Sequence, residues 1–130
     1  MGSASVLSAL RAWLLADAGV AAAVGTRVHI SRADVAGVVP ALALELGGGA
    51  GQLNVGMDQV DVRLDAWSSA SWAEALAALD AAAAACKGKT HADGLGAPLL
   101  AVTAVGAPTQ IGEQDYYHAQ ITVTVIVRGG

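Results

Sequence analysis

The stretch DQVDVRLDAWSSASWAEALAALD, Asp58 to Asp80, constrains this chain more than any other. Val60, Val62, Leu64 and Ala66 alternate with Asp61, Arg63, Asp65 and Trp67, the period of a strand with one buried face. A few residues later the pattern becomes helical. Ser71, followed by Trp72, Ala73 and Glu74, has the spacing of a capping box, in which hydroxyl and carboxylate each satisfy a free backbone amide. The helix so opened carries Trp72, Leu76, Leu79, Ala83 and Cys86 along one face. A strand that is apolar on one side only, leading into such a helix, requires the helix to cover that side of a sheet.

The rest of the chain supplies the other layers. Ser5 is a plausible N-cap for a helix over Val6 to Ala16, with Leu7, Leu10 and Leu14 on one face, and Gly19 ends or bends it. Val20 to Val24 adds one turn, and Arg27 to Ile30 reads as a short strand. Ser31 to Val39 is a loop, Pro40 suits the start of a strand, and Ala41 to Leu46 is that strand. The run GGGAGQLNVGMDQ, Gly47 to Gln59, carries too many glycines for regular structure and reads as a long hairpin loop. Lys87 to Pro98 is a loop, Leu99 to Val105 a strand, and Gly106 to Asp115 a second connection. Tyr117, Ala119, Ile121, Val123, Val125 and Val127 alternate as a long final strand.

The expectation is one domain over residues 1–130 of class α+β, a mainly antiparallel sheet of about five strands with two helices packed on one face. The hydrophobic fraction is 55% but the aromatic fraction only 4%, with no Phe. Ala, Val and Leu must therefore build the core, with Trp13, Trp67 and Trp72 as its bulky pieces.

Charge excludes some functions. Seven basic and eleven acidic residues give a net charge of -4, and the basic ones are scattered, so the stripe needed to grip nucleic acid is missing. The single Cys86 reads as a small buried residue rather than a reactive thiol, and cytosolic folding is the default. No apolar run reaches the length of a membrane span, and a secretory leader is not expected.

The motifs that could carry chemistry fail on spacing. Gly88-Lys89-Thr90 ends like a phosphate-binding loop, but Ala83 stands where a glycine is needed and the helix precedes it instead of following. His29, His91 and His118 lie in three elements without ligand spacing, and each reads as a surface or sheet-face residue. No cofactor or metal is expected. Asp61 and Asp65 could lie roughly 7 Å apart on one strand face, a separation a carboxylate pair can use. Arg63 between them holds both ionised, however, whereas acid catalysis needs one raised pKa. His118, Gln120, Thr122 and Thr124 give the last strand a matching polar face. Asp61, Arg63 and Asp65 are therefore read as a polar sheet face turned to water, a neighbouring subunit or a lumen.

In order along the chain, LRAWLLADAGVAAAVGTRV, PALALEL, VDVRLDAWSSASWAEALAALDAAAAA and YYHAQITVTVIVRG resemble the tail terminator, or tail-completion, proteins of long-tailed bacteriophages and phage-like gene transfer agents. The resemblance implies a non-enzymatic virion protein of the tail or neck, assembled in the bacterial cytoplasm. It implies a hexameric ring that caps the head-proximal end of the tail tube, stops its polymerisation and docks to a head-side connector or stopper. DNA then passes through the lumen without specific binding, and no membrane is involved. The neighbouring stopper or adaptor proteins of the neck, a small dimeric ligand-binding module, and an enzyme using the Asp61 and Asp65 face are the alternatives.

Loops carry binding more often than scaffold residues do. Asn54 and Met57 in the glycine-rich segment, and Glu113, Asp115, Tyr116 and Tyr117 before the last strand, are accordingly the expected contacts with neighbouring subunits or partners. Asp61, Asp65 and Glu113 could also give the channel a weakly acidic lining along which DNA slides.

Overall fold

The computed structural model describes residues 3–31, 37–54, 56–112 and 115–128, with the backbone alone for 3–4 and 48–54. Helix α1 (Ser3–Leu15) turns into α2 (Ala18–Val24), followed by strands β1 (Val28–Ile30), β2 (Ala41–Asn54) and β3 (Met57–Ser68). Helix α3 (Trp72–Cys86), a 3-10 turn (His91–Asp93), β4 (Leu99–Val105), β5 (Thr109–Ile111) and β6 (Tyr117–Arg128) complete the chain.

The sheet is six-stranded and mixed, in the order β1-β2-β3-β6-β4, with β5 also on β6. The α+β class stands and four of the five strand pairings among the described residues are antiparallel, but the expected mainly antiparallel sheet of about five strands with two helices is corrected to a mixed sheet of six strands with three helices. β1 runs parallel to β2, pairing Val28 with Leu42 and Ile30 with Leu44. β5 lies inside what read as a plain connection, because Thr109–Ile111 is too short to show a period.

The largest correction concerns Gly47 to Gln59. It is not a loop: β2 runs on to Asn54 and β3 begins at Met57, with Asn54 facing Met57 across the turn at Gly56. Glycine tolerates extended backbone, and β3 supplies the pairing that local propensity does not. Gly47 has a steric reason to be there, since a Cβ at that position would lie 3.2 Å from Asp61 Cβ and 3.3 Å from its carbonyl oxygen. The register slips between Leu46 and Ala50, so the glycines form a bulge in a continuous strand.

The core lies between the sheet and all three helices. Leu10 and Leu14 of α1, Val20 and Val24 of α2, and Ala78, Leu79 and Ala82 of α3 cover Leu42, Leu44, Val62, Leu64, Ile121 and Val123. Ser5 falls inside α1 and does not cap it. Gly19 falls inside the first turn of α2, whose cap is Asp17, with its carboxylate accepting from Val20 N at 2.9 Å.

On α3 the buried residues are Ala75, Ala78, Leu79, Ala82, Ala85 and Cys86, a stripe rotated from the expected one. Trp72, Leu76 and Ala83 are only half-buried. Alanines meet the strands because they allow closer approach than Trp72 or Leu76.

The expected capping box is half formed. Ser71 Oγ accepts from Glu74 N, but the Glu74 carboxylate accepts from Ser68 Oγ instead of from the Ser71 amide. Ser68 Oγ in turn accepts from Ala70 N and Ser71 N, so a buried serine at the end of β3 organises the turn into α3. Of the tryptophans expected in the core, Trp13 packs half-buried against it, donating to Ala85 O at 2.9 Å, whereas Trp67 sits on the opposite side of the sheet.

Candidate functional site

Strand alternation decides which side chains share the helix-free face of the sheet. Since Leu42, Leu44, Val62, Leu64 and Val123 enter the core, Ala43 and Glu45 of β2, Asp61, Arg63, Asp65 and Trp67 of β3, and His118, Gln120, Thr122 and Thr124 of β6 point the other way. Registration sets Arg63 beside Glu45 and Thr122, Asp65 beside Ala43 and Gln120, and Trp67 beside Ala41 and His118.

Arg63 reaches along its own strand and across to the next. Its Nε donates to Asp65 Oδ2 at 3.0 Å, and its Nη2 donates to Glu45 Oε2 at 2.6 Å. Asp65 Oδ1 meets His118 Nε2 at 2.7 Å. The expectation that Arg63 pairs both aspartates is thus corrected: Asp61 accepts instead from Thr124 Oγ1 at 2.8 Å. Glu45, closer through the β2–β3 register, takes the place expected for Asp61.

The expectation that Asp61, Arg63 and Asp65 together turn to water, a neighbouring subunit or a lumen needs correction at Asp65. Asp65 is 2% exposed and His118 3%. The cause is a second, small apolar cluster of Ala41, Ala43 and Trp67, against which Val39 and Tyr116 pack. Trp67 stacks on His118 with centroids 4.6 Å apart, roofing the pair. The face is therefore buried at one end and polar and partly exposed from Arg63 through Asp61.

The expected contact residues do not come together. Asn54 and Met57 lie at one end of β2 and β3, where Met57 faces Arg128. Asp115, Tyr116 and Tyr117 lie at the other, where Tyr117 faces Ser68. The twelve residues of β3 separate the groups, roughly 35 Å at about 3.3 Å per residue. Asp115 is exposed, Tyr116 half-buried in the second cluster, and Tyr117 is 37% exposed with its ring edge-on to Trp72 at 5.3 Å. Glu113, and the side chain of Asn54, lie outside the described residues.

The partners of Asp65 are what sequence reasoning missed. His118 stands 53 positions away, and Trp67 was assigned to the main core. The usable signal was parity: Trp67 and Asp65 share one face of their strand, as His118 and Gln120 share one face of theirs. Only the register places these two sets in contact.

Little else is shaped for chemistry. Among the described residues no group of three or more His, Cys, Asp or Glu could hold a metal. His29 Nε2 is buried without a hydrogen-bond partner, beside Ala43. His91 is exposed on the 3-10 turn, and Thr90, of the phosphate-loop lookalike, caps that turn. An open groove of about 740 Å³ runs along α1, lined by Ala9, Ala12, Trp13, Gly94, Gly96 and Ala97. Burial, and then the charge of Asp17, push the Cys86 thiol up to about 12.

Comparison with known proteins bears on this scaffold directly. Residues 8–128 match the family described as Tail completion protein gp17. Among solved structures, a chain from "Virion of native gene transfer agent (GTA) particle" superposes with a TM-score of 0.69 at 18% identity, covering 98% of this chain and 97% of that one. At that identity the likeness speaks for the fold. No curated protein sequence matches.

Proposed function

The chain belongs to the Tail completion protein gp17 family, and from that premise we propose that it forms a ring, of six copies, capping the head-proximal end of a tail tube. It is a structural protein of the virion tail, of a family of structural virion proteins rather than enzymes. In this reading the ring ends tube polymerisation and docks to a head-side connector or stopper protein.

The observation that supports the reading is that the residues expected as contacts fall at the two opposite ends of one sheet. A terminating ring must touch the tube on one side and the head-side partner on the other. Asn54 and Met57 occupy one pole and Asp115, Tyr116 and Tyr117 the other, with Glu113 assigned by sequence to the second group. Tyrosine and tryptophan are frequent anchors of interfaces, and Trp72 and Tyr117 sit together at the second pole.

The helix-free face then lines the lumen. Asp61, Arg63, Thr122 and Thr124 give it polarity without a cationic surplus, which suits DNA that slides and does not stick. Native mass measurement and negative-stain imaging test the reading. Rings of about six copies that bind the end of assembled tubes and halt their growth are expected. A chain that stays monomeric with tube subunits present removes it, and rings that bind only the head-side connector assign a stopper or adaptor role instead.

A further inference from the structure

The sheet leaves two backbone edges open. On one side β1 covers β2 only at Leu42, Ala43 and Leu44, and among the described residues no strand lies beyond β2 from Leu46 to Asn54. Leu42 N donates to Arg27 O and Leu44 O accepts from Ser31 N. Residues of that parity turn their amide and carbonyl outward, and the alternation puts Leu46 with them.

On the other side Lys89 and Thr90 cover β4 only at Val102 and Ala101. Thr103–Val105 and Thr109–Ile111 run on along β6 as one broken strand, with no strand outside them among the described residues. Each open edge holds nine residues, but the register slips shorten it: the first runs level with Val62 to Met57 of β3 and the second level with Thr124 to His118 of β6, roughly 17–20 Å each. Neither LGGGAGQLN nor TAVGAPTQI contains a charged residue, although the chain has 7 basic and 11 acidic ones. Charge is one guard of an edge strand that must stay unpaired; of the other guards, Pro108 and the glycine bulge interrupt these edges only locally.

We propose that these two edges pair with each other between copies, β2 of one copy against β4 and β5 of the next, so that six sheets join into one closed wall. The inference rests on the ring reading and names its contact. The two edges are different surfaces, as a head-to-tail ring contact requires. β2 is antiparallel to β3, β3 to β6, and β6 to β4 and β5, so the edges run in opposite directions. Rotation about an axis along the sheet preserves those directions, and the new ladder is antiparallel.

The stagger fits closure as well. Ala50, midway along its edge, is level with Val60 and through it with Val125, while the middle of the other edge is level with Thr122, which accepts from Gly106 N. Centring the edges on each other shifts the sheet by about three residues, ~10 Å, over four strand spacings, ~19 Å. The resulting strand tilt of roughly 30° approaches the 35–45° of closed barrels.

Cysteines introduced together as Ala50→Cys and Ala107→Cys, and at the residues on either side, test the contact in the full chain, since Cys86 is buried and slow to react. Oxidation of assembled rings is expected to give a covalent ladder up to the ring size for at least one pairing. Leu46→Pro, which removes an outward amide, is expected to abolish ring assembly with circular dichroism unchanged. Rings that yield no cross-link at any pairing and tolerate Leu46→Pro overturn the edge contact and leave the ring reading intact. Failure of the unsubstituted chain to form rings removes both.

Discussion

Asp65 and His118, 53 positions apart in sequence, meet at 2.7 Å with both side chains buried, and the Trp67 ring stacks on the imidazole. Removing one member of a buried pair strands the other. Asp65→Ala is expected to lower stability by about 3 kcal/mol in chemical denaturation, because His118 and Arg63 both lose a partner. An exposed-site control, Asp115→Ala, is expected to stay within about 0.5 kcal/mol of the parent.

The thiol of Cys86, pushed up to about 12 by burial and then by Asp17, ties stability to alkaline pH. The unfolded chain ionises from about pH 9, whereas the folded chain holds its proton to about 12. Between these values the unfolded state binds fewer protons, so stability falls as pH rises, by up to about 1.4 kcal/mol per unit from this group. Denaturation measured at several pH values should show that slope reduced in Cys86→Ala relative to the parent.

Ser68 and Ser71 divide the work of starting α3. Ser71→Ala removes the acceptor for Glu74 N and is expected to cost about 1 kcal/mol. Ser68→Ala leaves Ala70 N, Ser71 N and the Glu74 carboxylate without the hydroxyl they share, and about 2 kcal/mol is expected. Thermal unfolding that ranked Ser71 above Ser68 would contradict this account of the turn.

Ala78 and Ala82 lie against the sheet at 1% and 0% exposure. Ala82→Leu adds volume where the surroundings cannot move, and a loss of about 3 kcal/mol is expected. The same change at exposed Ala77 should be near neutral in the same urea titration.

Tyr117 supports the proposed function with little cost to the fold. Tyr117→Ala is expected to leave ring assembly unchanged and to weaken docking at one end of the ring by tenfold or more, measured as binding to tube ends and to the connector separately. Met57→Ala is expected to affect the opposite end. Equal effects of both substitutions on one partner would refute the two-pole arrangement.

What was legible in the sequence was the local pattern strong enough to survive any context. Leu99–Val105 and the alternation to Val127 matched the strands, and Ser71 marked the start of α3. Gly47 to Gly49 misled because β3 holds the strand on both sides of them, at Leu46 and again from Ala50, and that pairing is invisible to local propensity. β5 is three residues whose pairing is wholly tertiary. The Asp65–His118 contact needed the register of two strands separated by a helix and two short strands, and no period within either strand fixes a register between them.

The alanine stripe of α3 has one more consequence. Ala75, Ala78, Ala82 and Ala85 have no rotamers to freeze, so ordering this layer forfeits almost no side-chain entropy. The same lack of rotamers leaves little slack. A load pressed on the sheet passes to the helix through Cβ contacts that cannot rearrange, and α3 acts as a stiff brace behind the strands.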